Sequence, residues 1–143
     1  MIFKNNLRAI FLVVCSLCLM SFTVVIDAGH GGNDAGAIGL VKGVKEKDLN
    51  LNVAQRLATK IRQQYPEVKV VMTRDTDVFL PLQQRADIAN KNHADLFISI
   101  HTNAAENRNA QGAETFILGT DRMEDNLDVA MRENAVMKLE QDQ

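Results

Sequence analysis

The residues in this chain whose types and positions could do chemistry are two histidines and a handful of acids. His30 lies in "VVIDAGHGGNDAG", where a β-branched run meets Asp27 and the histidine follows inside a glycine loop. A side chain there has little to pack against. His101 closes "DLFISIH". Two imidazoles brought to one place suggest a metal. Catalytic zinc commonly takes three protein ligands, His₂Glu among them, and leaves a fourth position open. The third ligand would be a carboxylate. Glu46, at the start of a helical pattern directly after the glycine loop, is favoured by geometry, with Asp34 and Asp48 as competitors. Asp27 precedes the loop and is a candidate for fixing a histidine tautomer from behind the ligands.

The elements that must position these residues are legible from periodicity. "FTVVID" (Phe22–Asp27) is β-branched and apolar, as a buried strand is. Glu46–Tyr65 reads as a helix with Leu49, Val53, Leu57 and Ile61 every four residues, acids at its start and bases later. Val68–Arg74 reads as a second strand, Leu82–Asn92 as a second helix with Pro81 at its start, Asp95–His101 as a third strand and Gly112–Leu118 as a fourth. Strand, helix, strand, helix, strand implies an α/β fold, a mainly parallel β-sheet flanked by helices. Ligands collect at the carboxyl ends of such strands. His30 and His101 both arrive there, and a loop from the first strand returns Glu46 to the same edge. Gly29, Gly31 and Gly32 let the backbone bend and leave room. A nucleotide loop is excluded: G-x-G-x-x-G counted from Gly29 ends on Asp34, and no G-K-[ST] occurs.

Bulk properties narrow the classes further. The chain has 143 residues, enough for one modest domain, with formal net charge −2 and 5% aromatic residues. Neither a basic face nor an aromatic platform for nucleic acid is indicated. Residues 1–21 carry Lys4 and Arg8, no acid, and then an apolar run from Ala9 to Met20. This is the layout of a secretory signal peptide. The run is too short for the roughly 20 residues that span a bilayer, so no stable membrane insertion is expected once the signal is cleaved. Cys15 and Cys18 both lie in this segment, which leaves residues 22–143 as an exported domain with no disulfide and no cysteine-held metal.

Taken together, "VVIDAGHGGNDAGAIG", "EKDLNLNVAQRLA", "VMTRDTDVFLPLQQRADIAN" and "ADLFISIHTNAA" resemble the zinc-dependent N-acetylmuramoyl-L-alanine amidases of the type 3 family, in register from about Thr23 to Leu118. The resemblance implies Zn²⁺ held by His30, Glu46 and His101. It implies hydrolysis of the amide between muramic acid and L-alanine in peptidoglycan, for cell-wall remodelling or daughter-cell separation, in the periplasm or at the cell surface. It also leaves room for an activator protein as a partner. Zinc would acidify water and polarise the scissile carbonyl, and a second carboxylate would act as general base. In the family that base is a glutamate on a later strand. Glu106, Glu114, Glu124, Glu133 and Glu140 lie in no segment matching that motif, so the base is expected beyond Gln143 and the catalytic domain is expected to be C-terminally truncated.

Arg74 and Arg85 are expected to pair with Asp75, Asp77 or Asp87, the other use being a carboxylate of the peptide stem. Asn103 is a candidate substrate contact or a turn former, and His93 is expected at the surface. The acid-rich segment 121–143 reads as a helical arm with a Met/Leu stripe, either simply packed or regulatory. Two other functions remain open: a truncated, non-catalytic zinc-containing wall-binding module, and another zinc hydrolase on the same scaffold, such as a peptidase or deacetylase.

Overall fold

The computed structural model describes residues 21–103, 109, 111–117 and 131. Five elements follow one another: β1 (Thr23–Ala28), α1 (Glu46–Gln64), β2 (Lys69–Met72), α2 (Leu82–Lys91) and β3 (Leu96–Ile100). The three strands form one parallel sheet in the order β2-β1-β3. Thr23–Ile26 pair with Lys69–Met72, and Val24–Ala28 pair with Leu96–Ile100. The α/β expectation holds, with every element boundary within two residues of the periodicity reading. The second connection carries the chain from one side of β1 to the other. The strand order therefore reverses at β1, and the crevice at the carboxyl ends of β1 and β3 is the switch point where open α/β sheets bind ligands.

Strand alternation gives β1 two different faces. Val24, Ile26 and Ala28 point into a core with Ala54 and Ala58 of α1, supported by Leu51, Leu57, Ile61, Val70, Met72 and Ile98. Full burial of Val24 and Ile26 contributes roughly 1.5–3 kcal/mol each. On the other face Asp27 is buried and meets Arg85 of α2. The stripe expected to bury α1 is only half right. Leu49 and Val53 remain 44% and 45% exposed, while Asn50, Ala54 and Ala58 are enclosed. Small residues let the helix axis come close to β1, and that close approach selects the buried face.

The N–H groups at the start of α1 are satisfied from the preceding loop. Glu46 N–H donates to Ala37 O at 2.9 Å and Lys47 N–H to Ala35 O at 3.2 Å. No side chain caps the helix at Lys45, so the loop carbonyls do this work and tie the helix start to the glycine loop.

Among the described residues there is no fourth strand: residues 111–117 are exposed and pair with no strand of the sheet. Thr115, Phe116 and Ile117 have the composition of a strand, but a strand exists only through its ladder partner. Leu118 lies outside the described residues. So do residues 1–20, where the signal peptide was expected, and residues 121–143 apart from Met131, where the acidic arm was expected.

Candidate metal centre

The loop after β1 carries His30 in a left-handed backbone conformation, φ 61°, which a residue with a Cβ adopts at some cost. Gly36, at φ 64°, turns the chain back toward α1 at a point where a Cβ would lie 2.6 Å from His30 Cδ2 and 2.9 Å from Glu46 Cβ. α1 presents Glu46 from its first turn. β3 ends one residue before His101, where Gly29 N–H donates to Ile100 O and continues the β1–β3 pairing to the site's edge.

These three side chains meet. Ligand atoms of His30, Glu46 and His101 all lie within 4.8 Å of one another. His30 Nε2 is 3.3 Å and His101 Nδ1 3.2 Å from Glu46 Oε1, and the two imidazole rings are edge to face at 4.8 Å between centroids. Asp34, one of the two competing acids, holds His30 from behind: Nδ1 is 2.8 Å from Asp34 Oδ2. With the carboxylate accepting, this contact aims Nε2 at the cluster. Asp48 is exposed on α1.

Glu46 is well enclosed. Its Oε2 accepts from Ala37 N–H at 2.9 Å, and Oε1 accepts from Thr102 N–H at 2.9 Å and from Asn50 Nδ2 at 3.3 Å. Burial pushes the Glu46 carboxyl up, but hydrogen bonds from His101, His30 and the Ala37 and Thr102 N–H groups outweigh it and hold the group far below the usual carboxylate range. It is an anion at neutral pH. A buried anion beside two imidazoles is the donor set of a His₂Glu zinc centre, and these residues fit such an ion in type, number and spacing.

Three residues singled out from the sequence, Asp27, Arg85 and Arg74, take other places. Asp27 does not address a histidine. Its Oδ1 accepts from Thr73 Oγ1 at 2.7 Å and Arg85 Nη1 at 2.8 Å, and its Oδ2 from Ser99 Oγ at 2.8 Å. The histidine-orienting acid is Asp34, because alternation turns Asp27 onto the α2 face. Arg85 pairs with Asp27 rather than with Asp75, Asp77 or Asp87. Among the described residues Arg74 donates only to backbone carbonyls. The cation that Asp77 does bind is Lys47, at 2.6 Å. Asn103 is exposed two residues past His101, and His93 is exposed with φ 51°. Asn50 was missed: its amide reaches Gly29 O and Glu46 Oε1, and its Oδ1 accepts from Thr102 Oγ1 at 2.9 Å. Its spacing of four from Glu46 puts it on the same helix face, which was the available signal.

An open cleft of about 420 Å³ adjoins the cluster, lined by Leu82, Ala86, Ala89 and Phe97 as well as both histidines. It opens between α2 and β3.

The class these features define is an α/β protein with a His-Glu-His cluster at the sheet's switch point that could hold a metal ion. More particularly, residues 24–142 match the family described as N-acetylmuramoyl-L-alanine amidase, and the chain belongs to that family. It is 45% identical over 97 residues to the N-acetylmuramoyl-L-alanine amidase AmiC of Escherichia coli, covering 68% of this chain and 23% of that one. Among solved structures it is similar to the amidase AmiC2 of Nostoc punctiforme (46% identity, TM-score 0.57, covering 62% of this chain and 47% of that chain). It is also similar to the CwlD amidase from Clostridioides difficile, solved in complex with the GerS lipoprotein (33% identity, TM-score 0.50, covering 62% and 52%). The chain spans about half the length of these solved relatives and less of the curated one.

Proposed function

We propose that the protein is a zinc-dependent amidase that cleaves the bond between N-acetylmuramic acid and L-alanine in peptidoglycan, serving cell-wall remodelling or daughter-cell separation. The observation that carries this reading is the His30–Glu46–His101 cluster, its glutamate buried, at the sheet's switch point in a chain of the amidase family. Zinc, when bound by these three side chains, supplies Lewis acidity toward a carbonyl oxygen and toward water. Glu46 contributes a fixed negative charge, Asp34 orients His30, and the cleft between α2 and β3 admits the peptide stem past Asn103. Among the described residues the remaining glutamates, Glu67 and Glu114, are exposed, so the general base is assigned to none of them.

The proposed site of action is outside the cytoplasm, reached through the segment 1–21. Support comes from the location of peptidoglycan itself. No helix among the described residues is long and apolar enough to cross a membrane. The CwlD relative was solved with a lipoprotein bound, which supports a protein activator as a partner here.

Incubation with isolated sacculi tests the reading. Zinc-dependent release of stem peptides with free L-alanine amino termini is expected, and Glu46→Gln should abolish both zinc binding and release. Binding to sacculi without release would favour the wall-binding module. Release of acetate, or cut cross-links, would favour a different zinc hydrolase.

A further inference from the structure

Three consecutive carbonyls at the end of β1 are held by two buried guanidinium groups. Ala28 O accepts from Arg74 Nε and from Arg85 Nη1, each at 2.9 Å. Gly29 O accepts from Arg74 Nη2 at 2.9 Å, and His30 O from Arg85 Nη2 at 2.9 Å. Arg74 Nη2 also donates to Lys47 O at 2.9 Å. One side chain therefore spans the histidine loop and the helical turn that presents Glu46. Arg85 is fixed in turn by Asp27, itself held by Thr73 and Ser99.

Both arginines are almost fully buried, at 3% and 6% exposure. Burying two cations against one carboxylate is a poor way to gain stability, since well-packed apolar residues often do as well. What the pair supplies is geometry. His30 holds a left-handed backbone that persists only where its surroundings over-determine it, and the two guanidinium forks fix the carbonyls on the chain leading into it. Two further N–H groups are committed, bringing each guanidinium to four of its five donors: Arg85 Nε donates to Leu80 O at 3.0 Å and Arg74 Nη1 to Thr76 O at 3.1 Å.

We propose that Arg74 and Arg85 are positioning residues for the metal centre: Arg85 locks the backbone that aims His30, and Arg74 sets the separation between the His30 loop and Glu46. Each is held in place by the protein's own acceptors, without a substrate carboxylate. This rests on the zinc reading of His30, Glu46 and His101 given above.

The test uses Arg85→Lys and Arg74→Lys in the full chain. A lysine keeps the charge but offers one ammonium in place of a planar fork, so it cannot hold the same set of acceptors. Each variant that retains the parent's circular dichroism is expected to bind Zn²⁺ about 10–100-fold more weakly in a chelator competition, the range seen when groups behind metal ligands are removed. Ala58→Gly, which lowers stability from farther along α1, is expected to leave zinc affinity unchanged and so separates positioning from general destabilisation. In the zinc-free protein, the His30 backbone carbon shifts should leave left-handed values in Arg85→Lys. If His30 keeps those shifts in that variant, the clamp is overturned whether or not the parent binds zinc. Zinc affinity within about threefold of a zinc-binding parent in both lysine variants overturns it as well, being short of the loss expected of such supporting groups. A parent that binds no zinc refutes the metal reading instead, and the carbon shifts still decide the clamp. If Arg85→Lys fails to fold, Arg74→Lys carries the affinity test, and its Gly29 and Lys47 carbonyl shifts report whether the two segments have come apart.

Discussion

Gly29→Ala isolates the position of one proposed metal ligand from the stability of the fold. Gly29 has no left-handed backbone, so alanine is not strained there by its own φ. Its new Cβ, however, would fall within the His101 imidazole, 2.8 Å from Nδ1 and nearer still to Cε1 and Nε2. Below 3.0 Å one of the two must move. The backbone is poorly able to, because Gly29 N–H donates to Ile100 O at 3.1 Å and Gly29 O accepts from Arg74 at 2.9 Å. Breaking those buried bonds would cost about 1–3 kcal/mol for each group left unsatisfied. Swinging the half-buried His101 ring aside gives up its contact with Glu46 at 3.2 Å, about 1 kcal/mol. The ring is therefore the part that moves.

The expected result is a split. In the zinc-free protein, urea unfolding should show a loss of about 1 kcal/mol, at the low end of the cost of overpacking. Zinc affinity should fall at least ~100-fold, beyond what loss of a supporting group costs, because one of three ligands has left. That is at least ~2.8 kcal/mol at 1.4 kcal/mol per decade. A chromophoric chelator titration measures the affinity, and imidazole nitrogen shifts report the ring. Zinc affinity within a few-fold of the parent, with unchanged stability, would refute the reasoning, because His101 would then not occupy the place assigned to it.

Gly36→Ala should behave differently, since its φ of 64° adds about 1–2 kcal/mol of backbone strain to the clash with His30 and Glu46; stability and zinc affinity should fall together in thermal melts and chelator titrations. Asn50→Ala should lower unfolding free energy by about 1–3 kcal/mol, because it leaves Thr102 Oγ1 and Gly29 O with a lost partner inside the protein; denaturant titration checks this, and a loss under ~0.5 kcal/mol would speak against the network's importance. The Asp77 carboxyl is held below the ordinary aspartate value of 3.8 by the Lys47 ammonium and the Gly32 N–H. Its folded pKa lies below its unfolded one, so its contribution is present above that ordinary value and is lost as pH falls from there through the lowered pKa. Asp77→Asn should flatten that acid limb of the stability curve by at most about 1 kcal/mol, the scale of an exposed pair, and an unchanged pH profile of urea midpoints would contradict it.

The order of elements and the convergence of His30, Glu46 and His101 were legible because both follow from local rules. Strand and helix periods are written in neighbouring residues, and parallel sheets send every βα loop to one edge. The misjudged features depend on what a residue meets across the fold. Leu49, Val53, Leu57 and Ile61 form a regular apolar row, yet the helix buries Asn50, Ala54 and Ala58, because closeness to β1 matters more there than side-chain size. Asp27 and Arg85 are 58 residues apart, and nothing local joins them. Gly112–Leu118 has strand composition, but the ladder that would make a strand is a property of two segments. These misses share a direction. Where an apolar stripe or a pairing with Asp75, Asp77 or Asp87 is expected, the fold encloses Asn50, Arg74 and Arg85, alongside the buried Asp27, Glu46 and Lys47. Enclosing so many polar groups around one crevice is a cost that packing alone would avoid. Local preference yields to geometry at functional sites, and the yielding here is concentrated at the carboxyl ends of β1 and β3, where His30 and His101 meet Glu46.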